Sequence, residues 1–443
     1  MYRNNLPFAA ICYRIYGGVE SLINRKEYID WLMGWRERQM IKVVTGVRRC
    51  GKSTLFSLYI QCLKEMGIAE ERIISINLED VENEHLLDYK RLYSYVNNRL
   101  SRDEYTYVFI DEIQNCPQYE KAVDSLFIKE KVDVYITGSN AHMLSGELAT
   151  LLSGRYVEIR MLPLSFAEYL MFIGAEMRTG GVHSPSVPHI DRSAIGLEAG
   201  ELRRHFADYL QLGSFPYAAT LDKNKNLIRD YLDGIYNTIL IKDVAVREGI
   251  TDISLLESIV KFLCGSIGSP ISAKKISDTI NSSGRKISVN TVERYLRTLC
   301  NSYLFYKVNR FDIKGKQILK TLGKYYVVDT GLRDILVSKS SADLGHLLEN
   351  IVYLELLRRG NRVYIGKLAE KEVDFVADNA DGITYYQVSA STLDENTLRR
   401  ELEPLQRISD HHPKFLLTLD EIMPQANYDG IRKISVIDWL LTN

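Results

Sequence analysis

The chain has 443 residues, 46% of them hydrophobic and 26% charged, with a formal net charge of −1. That length provides for two to four domains at roughly 100–200 residues each, and the composition is that of a soluble globular protein rather than a disordered or fibrous one. A net charge so close to zero excludes a global pull toward nucleic acid or membrane, so any such role must come from a local patch.

Residues 1–21 read as an N-terminal extension. Its apolar run, LPFAAICYRIYGG, is short, is broken by Arg14 and lacks a convincing cleavage site, so a signal peptide is not expected. No window offers the roughly 20 apolar residues that a bilayer-spanning helix needs. The six cysteines (Cys12, Cys50, Cys62, Cys116, Cys264 and Cys300) are scattered without a CxxC pair. Neither a disulfide framework nor a zinc site is expected, and the expected compartment is the reducing cytoplasm.

Ile41–Val44 is a short β-branched run that predicts a buried strand. Gly46, Val47, Arg48, Arg49, Cys50, Gly51, Lys52 and Ser53 follow and match GxxxxGK[ST], with Thr54 opening an amphipathic helical pattern. Strand, glycine loop and helix form the context that a phosphate-binding loop requires. Gly46 and Gly51 let the backbone turn so that its N–H groups face phosphate oxygens. The helix N-terminus adds its dipole, Lys52 places a charge on the β- and γ-phosphates, and the Ser53 hydroxyl ligates Mg²⁺. Cys50 either fills space in the loop or exposes nucleotide binding to thiol modification.

YVFIDEIQN, residues 107–115, is an apolar strand ending in Asp111 and Glu112. At this distance from a phosphate loop, Asp111 is expected to hold Mg²⁺ and Glu112 to act as the general base on the attacking water. The next strand pattern, VDVYITGSNAHML, ends in Ser139 and Asn140. Asn140 is preferred as a contact to the γ-phosphate or the lytic water; the alternative is a simple loop cap. Arg155, in LLSGRYVEIR, is a candidate for stabilising transition-state charge, in cis or on a neighbouring subunit of a homo-oligomer, or else an ordinary surface arginine.

GVRRCGKST, FIDEIQN, ITGSNAHML and SGRYVEIRMLPLSFAEYL together resemble a group of bacterial and archaeal AAA-type ATPases. In that group an ORC- or STAND-like ATPase is joined to an uncharacterised C-terminal region. The resemblance extends from about residue 22 to about residue 420. It implies an α/β fold class: a P-loop NTPase parallel sheet between helices over residues 22–170, then further modules. Residues 171–250 read as a loop and a helical lid, with LGSFPYAA resembling the segment that opens the second half in that group.

Residues 251–335 read as three helices and a hairpin, a winged-helix pattern, with Ser272 and Ser288 as N-caps of the second and third helices. Within 251–330 there are thirteen Lys/Arg and six Asp/Glu, so the local charge is 13 − 6 = +7. Arg294 and Arg297 on the third helix, and Lys307, Arg310, Lys314, Lys316 and Lys320 in the wing, suit DNA phosphates. A solvated face on a protein-binding module is the equal alternative.

Residues 340–425 resemble the restriction-endonuclease-like α/β core, with 426–443 expected as a tail. In active members of that fold, carboxylates hold Mg²⁺ and a lysine positions or deprotonates water. Carried over residue by residue, Glu349, Asp374 and Gln387 match, but Ser389 stands at the lysine position. The expectation is a degenerate scaffold. Lys371 and Lys414 are the lysines nearest in sequence that might otherwise serve.

The expected function is hydrolysis of ATP with Mg²⁺, coupled to conformational change of the C-terminal modules. The alternatives are a nucleotide-gated DNA-binding regulator with slow turnover and a Mg²⁺-dependent nuclease. Expected partners are ATP, DNA through residues 251–330, and an unspecified protein, with no membrane.

Overall fold

The computed structural model describes residues 25–141, 152, 154–174, 197–337 and 344–442, apart from the side chains of residues 320 and 321. The expected N-terminal extension and much of the 171–200 loop lie outside those residues. The chain divides into two compact units, Met1–Met161 and Leu162–Asn443. The division comes before the expected boundary at residue 170, and there is a physical reason. The helix Phe166–Phe172 packs its aromatic face on the helix Ala199–Leu212, with Phe166 5.2 Å from Phe206 and 5.4 Å from Tyr209 between ring centroids.

The first unit is a five-stranded sheet. Its strands are β1 (Ile41–Thr45), β2 (Ile73–Asn77), β3 (Thr106–Asp111), β4 (Val132–Gly138) and β5 (Tyr156–Arg160). All neighbours run parallel, in the order β2-β3-β4-β1-β5. Every residue of β1 and β3 is buried, as expected of parallel strands covered on both faces. Val43, Ile76, Val108, Ile110 and Ile136 share a core with Leu92, Val96, Val123 and Leu126 of the flanking helices. Fully burying a side chain of this size contributes about 1.5–3 kcal/mol. The other face is aromatic: Phe109 stacks on Tyr135 at 4.6 Å, and both meet Tyr59 of the helix Lys52–Glu65.

Parallel strands deliver their carboxyl ends to one edge of the sheet, where open α/β sheets bind their ligands. Here that edge carries Thr45, Asp111, Gly138 and Arg160. The opposite edge holds a fully buried ion pair, Lys42 with Asp133. Asp133 also accepts from Tyr135 Oη (2.7 Å) and from the Glu37 amide (2.8 Å), so the buried charges are satisfied.

In the second unit, three helices (Ile253–Gly265, Ala273–Ser282 and Val289–Asn301) precede a hairpin of β6 (Phe305–Asp312) and β7 (Gln317–Val327). The expected caps are present: Ser272 Oγ accepts from the Lys275 amide at 3.2 Å, and Ser288 Oγ from the Thr291 amide at 3.1 Å. The hairpin, however, is not a separate wing. β6 pairs in parallel with β8 (Arg362–Leu368). It thereby joins an eight-stranded sheet with β9 (Lys371–Asn379), β10 (Gly382–Ser389), β11 (Lys414–Thr418), β12 (Ala426–Tyr428) and β13 (Ile431–Ser435). The order is β12-β13-β11-β10-β9-β8-β6-β7. Phe305, Tyr306 and Val308 on β6 are buried, and pairing satisfies backbone groups that a lone hairpin edge would leave open. The modules expected at 251–335 and 340–425 therefore share one sheet.

The expected order of helix (Leu344–Arg358), β8, β9, β10, helix (Glu395–Gln406) and β11 is present. The expected tail is a correction. Residues 426–443 supply β12, β13 and the helix Val436–Leu441, which buries Val436, Ile437, Trp439 and Leu440. Its runs are too short for periodicity to announce them, and only pairing with β11 makes them strands. No helix among the described residues is long and apolar enough to cross a membrane.

Deleting residues 426–443 is expected to expose the β11 edge and the surface covered by Trp439. Soluble yield and the thermal unfolding transition followed by circular dichroism should both collapse. A soluble, cooperatively unfolding truncation would show that the segment is dispensable.

Candidate functional site

The loop after β1 is shaped by close contact. Gly46 has φ +149°, and a Cβ there would lie 2.2 Å from the Met161 carbonyl oxygen. Gly51, at φ +104°, is the N-cap of the helix Lys52–Glu65 and brings no side chain to its first amides. Those N–H groups point out of a helix start at the carboxyl edge of the sheet, the arrangement that receives phosphate. Lys52 is buried. Its Nζ donates to the carbonyls of Gly46 (3.0 Å) and Val47 (3.3 Å) and lies 3.6 Å from Glu112 Oε1. Phosphate oxygens are the natural replacement for these acceptors.

β3 carries the two carboxylates to the same place. Asp111 accepts from the hydroxyls of Thr137 and Ser53. Burial pushes its carboxyl above the usual aspartate range, against the pull of the two hydroxyls. Glu112 follows in a left-handed conformation, φ 51°, with its amide donating to Thr137 Oγ1 at 2.9 Å. Burial pushes its carboxyl up too. Lys52, Gln114, Arg48 and Ser139 outweigh that and hold Glu112 below the usual range. The donor set of Ser53, Asp111 and the loop amides therefore fits a Mg²⁺–phosphate ligand, with an ionised Glu112 beside it.

Residues 38–170 match a family model described as an AAA domain, and residues 203–343 match a domain of unknown function. An uncharacterised protein of Haemophilus influenzae is 40% identical over 423 residues, covering 95% of this chain and 99% of its own length. An uncharacterised protein of Methanocaldococcus jannaschii is 31% identical over 417 residues, 90% of this chain and 85% of its own. This chain belongs to their family, and its residues 38–170 form a domain of the AAA-type P-loop ATPase class. Among solved structures, the Walker-type ATPase of Pyrococcus abyssi aligns at 15% identity over 71% of this chain and 96% of that one, with a TM-score of 0.47.

Other residues of this AAA-type site fall in unequal places. Ser139 joins the site directly, accepting from Gln114 Nε2 at 3.3 Å; Gln114 also donates to Glu112. Asn140 is buried at the same strand end. Arg48 extends to Glu79 Oε1 at 2.8 Å, across to the loop after β2, while Arg49 is exposed at φ 68°. Cys50 is fully buried, and burial pushes its thiol up, so space-filling is the reading that fits.

Arg155 is a correction to the reading in cis. It precedes β5, its carbonyl accepts from the Ile41 amide at 2.8 Å, and its guanidinium pairs with Asp124. It thus sits at the amino edge of a parallel sheet whose phosphate loop leaves the carboxyl edge. Arg160, at the other end of β5 and in register with Thr45, is the arginine on the phosphate side. Sequence reading also passed over Arg25, buried, whose Nη1 donates to the Cys50 carbonyl at 3.1 Å and braces the loop from below. It stands before the first described helix, outside any motif.

The second unit holds another cluster. Glu349, on the helix Leu344–Arg358, and Asp374, on β9, do converge. The residue between them is Lys324 of β7, only 4% exposed. Its Nζ lies 2.8 Å from Glu349 Oε1, 2.8 Å from Glu372 Oε1 and 3.7 Å from Asp374 Oδ1. Tyr326 Oη donates to the same Glu349 oxygen at 2.5 Å. The backbone of Gly268 closes over the group, since a Cβ there would meet His346 Nδ1 at 2.6 Å and Glu349 Oε2 at 2.9 Å.

The other sequence candidates are committed elsewhere. Gln387 Nε2 donates to Glu401 Oε2 at 2.8 Å, and Ser389 Oγ to the Ser391 carbonyl at 3.0 Å. Lys371 pairs with Glu403, and Lys414 Nζ donates to the Asp410 carbonyl. Burial alone would lower the Lys324 ammonium, but its three carboxylates push it well up. Burial also pushes Glu349 up, and Lys324, His346 and Tyr326 bring it below the usual range. Asp374 is pushed up to about 8 by burial and by the charge of Glu349.

A carboxyl raised in this way binds its proton more tightly in the folded chain than in the unfolded one, where it titrates near about 3.9. Its contribution to stability is full below that value and is lost as pH rises toward about 8. Asp374→Asn is therefore expected to flatten the fall in urea midpoint between about pH 5 and about pH 8. Parallel profiles for the two proteins would show an ordinary carboxyl at this position.

Proposed function

We propose that this chain binds ATP with Mg²⁺ in its first unit, hydrolyses it, and uses the cycle to change the conformation of its C-terminal interaction modules. One observation carries the reading: Lys52, Ser53, Asp111 and Glu112 meet at the carboxyl edge of one parallel sheet, with Lys52 and Glu112 3.6 Å apart. Mg²⁺, when bound, supplies neutralisation of charge on the phosphates. The chain does the rest. The loop amides and Lys52 orient the phosphates, Ser53 and Asp111 supply oxygen ligands, and Glu112 accepts the proton of the attacking water. The pairing of Glu112 with Lys52 and Gln114 supports that role, because it keeps the carboxylate ionised and aimed at the loop.

Ser139 and Asn140 are assigned to the polar end of β4 that faces this centre, with Ser139 setting Gln114 and Glu112. Arg160 is assigned to the phosphate side of β5. If Arg155 serves a phosphate, it does so on a neighbouring subunit of a homo-oligomer, because its own loop lies at the far edge. None of the five described cysteines is in a disulfide, which supports the cytoplasm as the compartment.

Purified Glu112→Gln is expected to bind ATP as the wild type does while kcat for phosphate release falls by roughly 10²–10⁴-fold. Lys52→Ala is expected to lose ATP binding itself. Equal turnover in the wild type and Glu112→Gln would remove the general-base role. Wild-type protein without nucleotide affinity would sink the whole reading.

A second reading, nucleotide-gated DNA binding, rests on the exposed basic residues of the three-helix segment: Lys274, Lys275, Arg285, Lys286, Arg294 and Arg297. Lys324, counted in the local charge of +7, is spent inside the carboxylate cluster and does not reach this face. DNA affinity with and without ATP should fall steeply with salt, by a log–log slope of about −0.9 for each phosphate neutralised. A flat response would remove DNA from the list of partners.

A further inference from the structure

The nuclease-like layout of the second unit implies a divalent cation held by Glu349 and Asp374, and the donor set does not fit one. We propose that Lys324 is the built-in cation of this cluster: its ammonium takes the place of the metal and clamps β7, β9 and the Glu349 helix together without one. The ammonium lies between the oxygens that would face a metal, Glu349 Oε1 and Asp374 Oδ1, at 2.8 and 3.7 Å. A Mg²⁺ would need those same oxygens at about 2.0–2.1 Å and in near-octahedral array, which leaves no room for the lysine head.

The other donors that the nuclease layout would supply are committed elsewhere. Asp374 Oδ2 accepts from the Val388 amide at 2.9 Å, and the Gln387 amide group binds Glu401 and the Asp374 amide. Ser389 donates to a backbone carbonyl and contributes nothing to the centre. Among the described residues, no group of three or more His, Cys, Asp or Glu side chains is arranged to hold a metal ion.

Lys324 is also unable to retreat. β7 fixes its backbone against Val308 of β6, its side chain is buried, and the Tyr326, Tyr353 and Phe375 rings pack beside the cluster. An ammonium leaving its carboxylates toward these rings would enter an apolar setting, which is strongly unfavourable. In a metal nuclease the lysine stands beside the ion and works on water. Here it stands between the carboxylates, so the cluster is structural, and cleavage chemistry is replaced by a cross-link among three elements.

The test is Mn²⁺ binding to the full nucleotide-free chain, measured by electron paramagnetic resonance, for wild type, Asp374→Asn, Lys324→Met and the double variant. The wild-type and Asp374→Asn isotherms are expected to superimpose. Lys324→Met is expected to gain one Mn²⁺ per chain, lost again in the double variant. Wild-type binding that disappears in Asp374→Asn would overturn the proposal, as would a folded Lys324→Met that gains no ion. Should Lys324→Met fail to fold, the wild-type and Asp374→Asn pair decides alone. The ATP site does not contribute to that difference, so the outcome is independent of the hydrolysis reading.

Discussion

The first unit depends on one close approach. The backbone of Gly46 passes so near the Met161 carbonyl that no side chain fits between them. Met161 is held there by its amide, which donates to the Thr45 carbonyl at 2.7 Å as β5 runs out beside β1. The loop is thus drawn tight between two parallel strands, and its amides and Lys52 point at one small volume. β3 then needs only to end at the same edge for Asp111 and Glu112 to arrive. A hydrogen bond from Arg25 to the Cys50 carbonyl gives the loop a further fixed point. Preorganisation of this kind lowers the ordering cost of binding.

Three buried lysines show how one side chain serves three ends. Lys42 meets Asp133 at the amino edge of the first sheet, where both are sealed and the pair can only be structural. Lys52 meets backbone carbonyls and Glu112 at the carboxyl edge, where its partners are ones that phosphate can displace. Lys324 meets three carboxylates in the second unit. For Lys42 and Lys324, burial works against the charged form. What differs is the partner: one carboxylate, a set of neutral carbonyls, or an excess of negative charge. The middle case is the one poised to exchange partners, and it is the one that belongs to the nucleotide site.

Much of the layout of the candidate nucleotide site was legible in the sequence because its parts are local. Gly46 to Ser53 is one turn, and Asp111 and Glu112 are adjacent at the end of one apolar run, so spacing alone brings the right groups to the right edges. The reading of Arg155 in cis fails for a reason of the same kind. An arginine after a small-residue turn says nothing about which end of a strand it occupies, and Arg160, five residues on, is the one at the loop. The hairpin β6–β7 looked like a wing because the local pattern of a wing and of a sheet edge are the same. Only its parallel pairing with β8 tells them apart.

The residues by themselves determined the α/β class, the phosphate loop, the Asp-Glu pair, and the absence of a lysine at Ser389, because each of these is written within a few neighbouring positions. Tertiary structure alone decided which cation stands between Glu349 and Asp374. Lys324 lies on β7, read as part of a basic wing, and reaches Glu349 and Asp374 only because an eight-stranded sheet brings its strand alongside their elements. It decided equally that residues 426–443 are strands and a helix rather than a tail, since β13 exists only by pairing with β11. Hydrogen-bonded sheet pairing acts between residues far apart in the chain, and no periodicity within a segment records which distant strand will supply its partner.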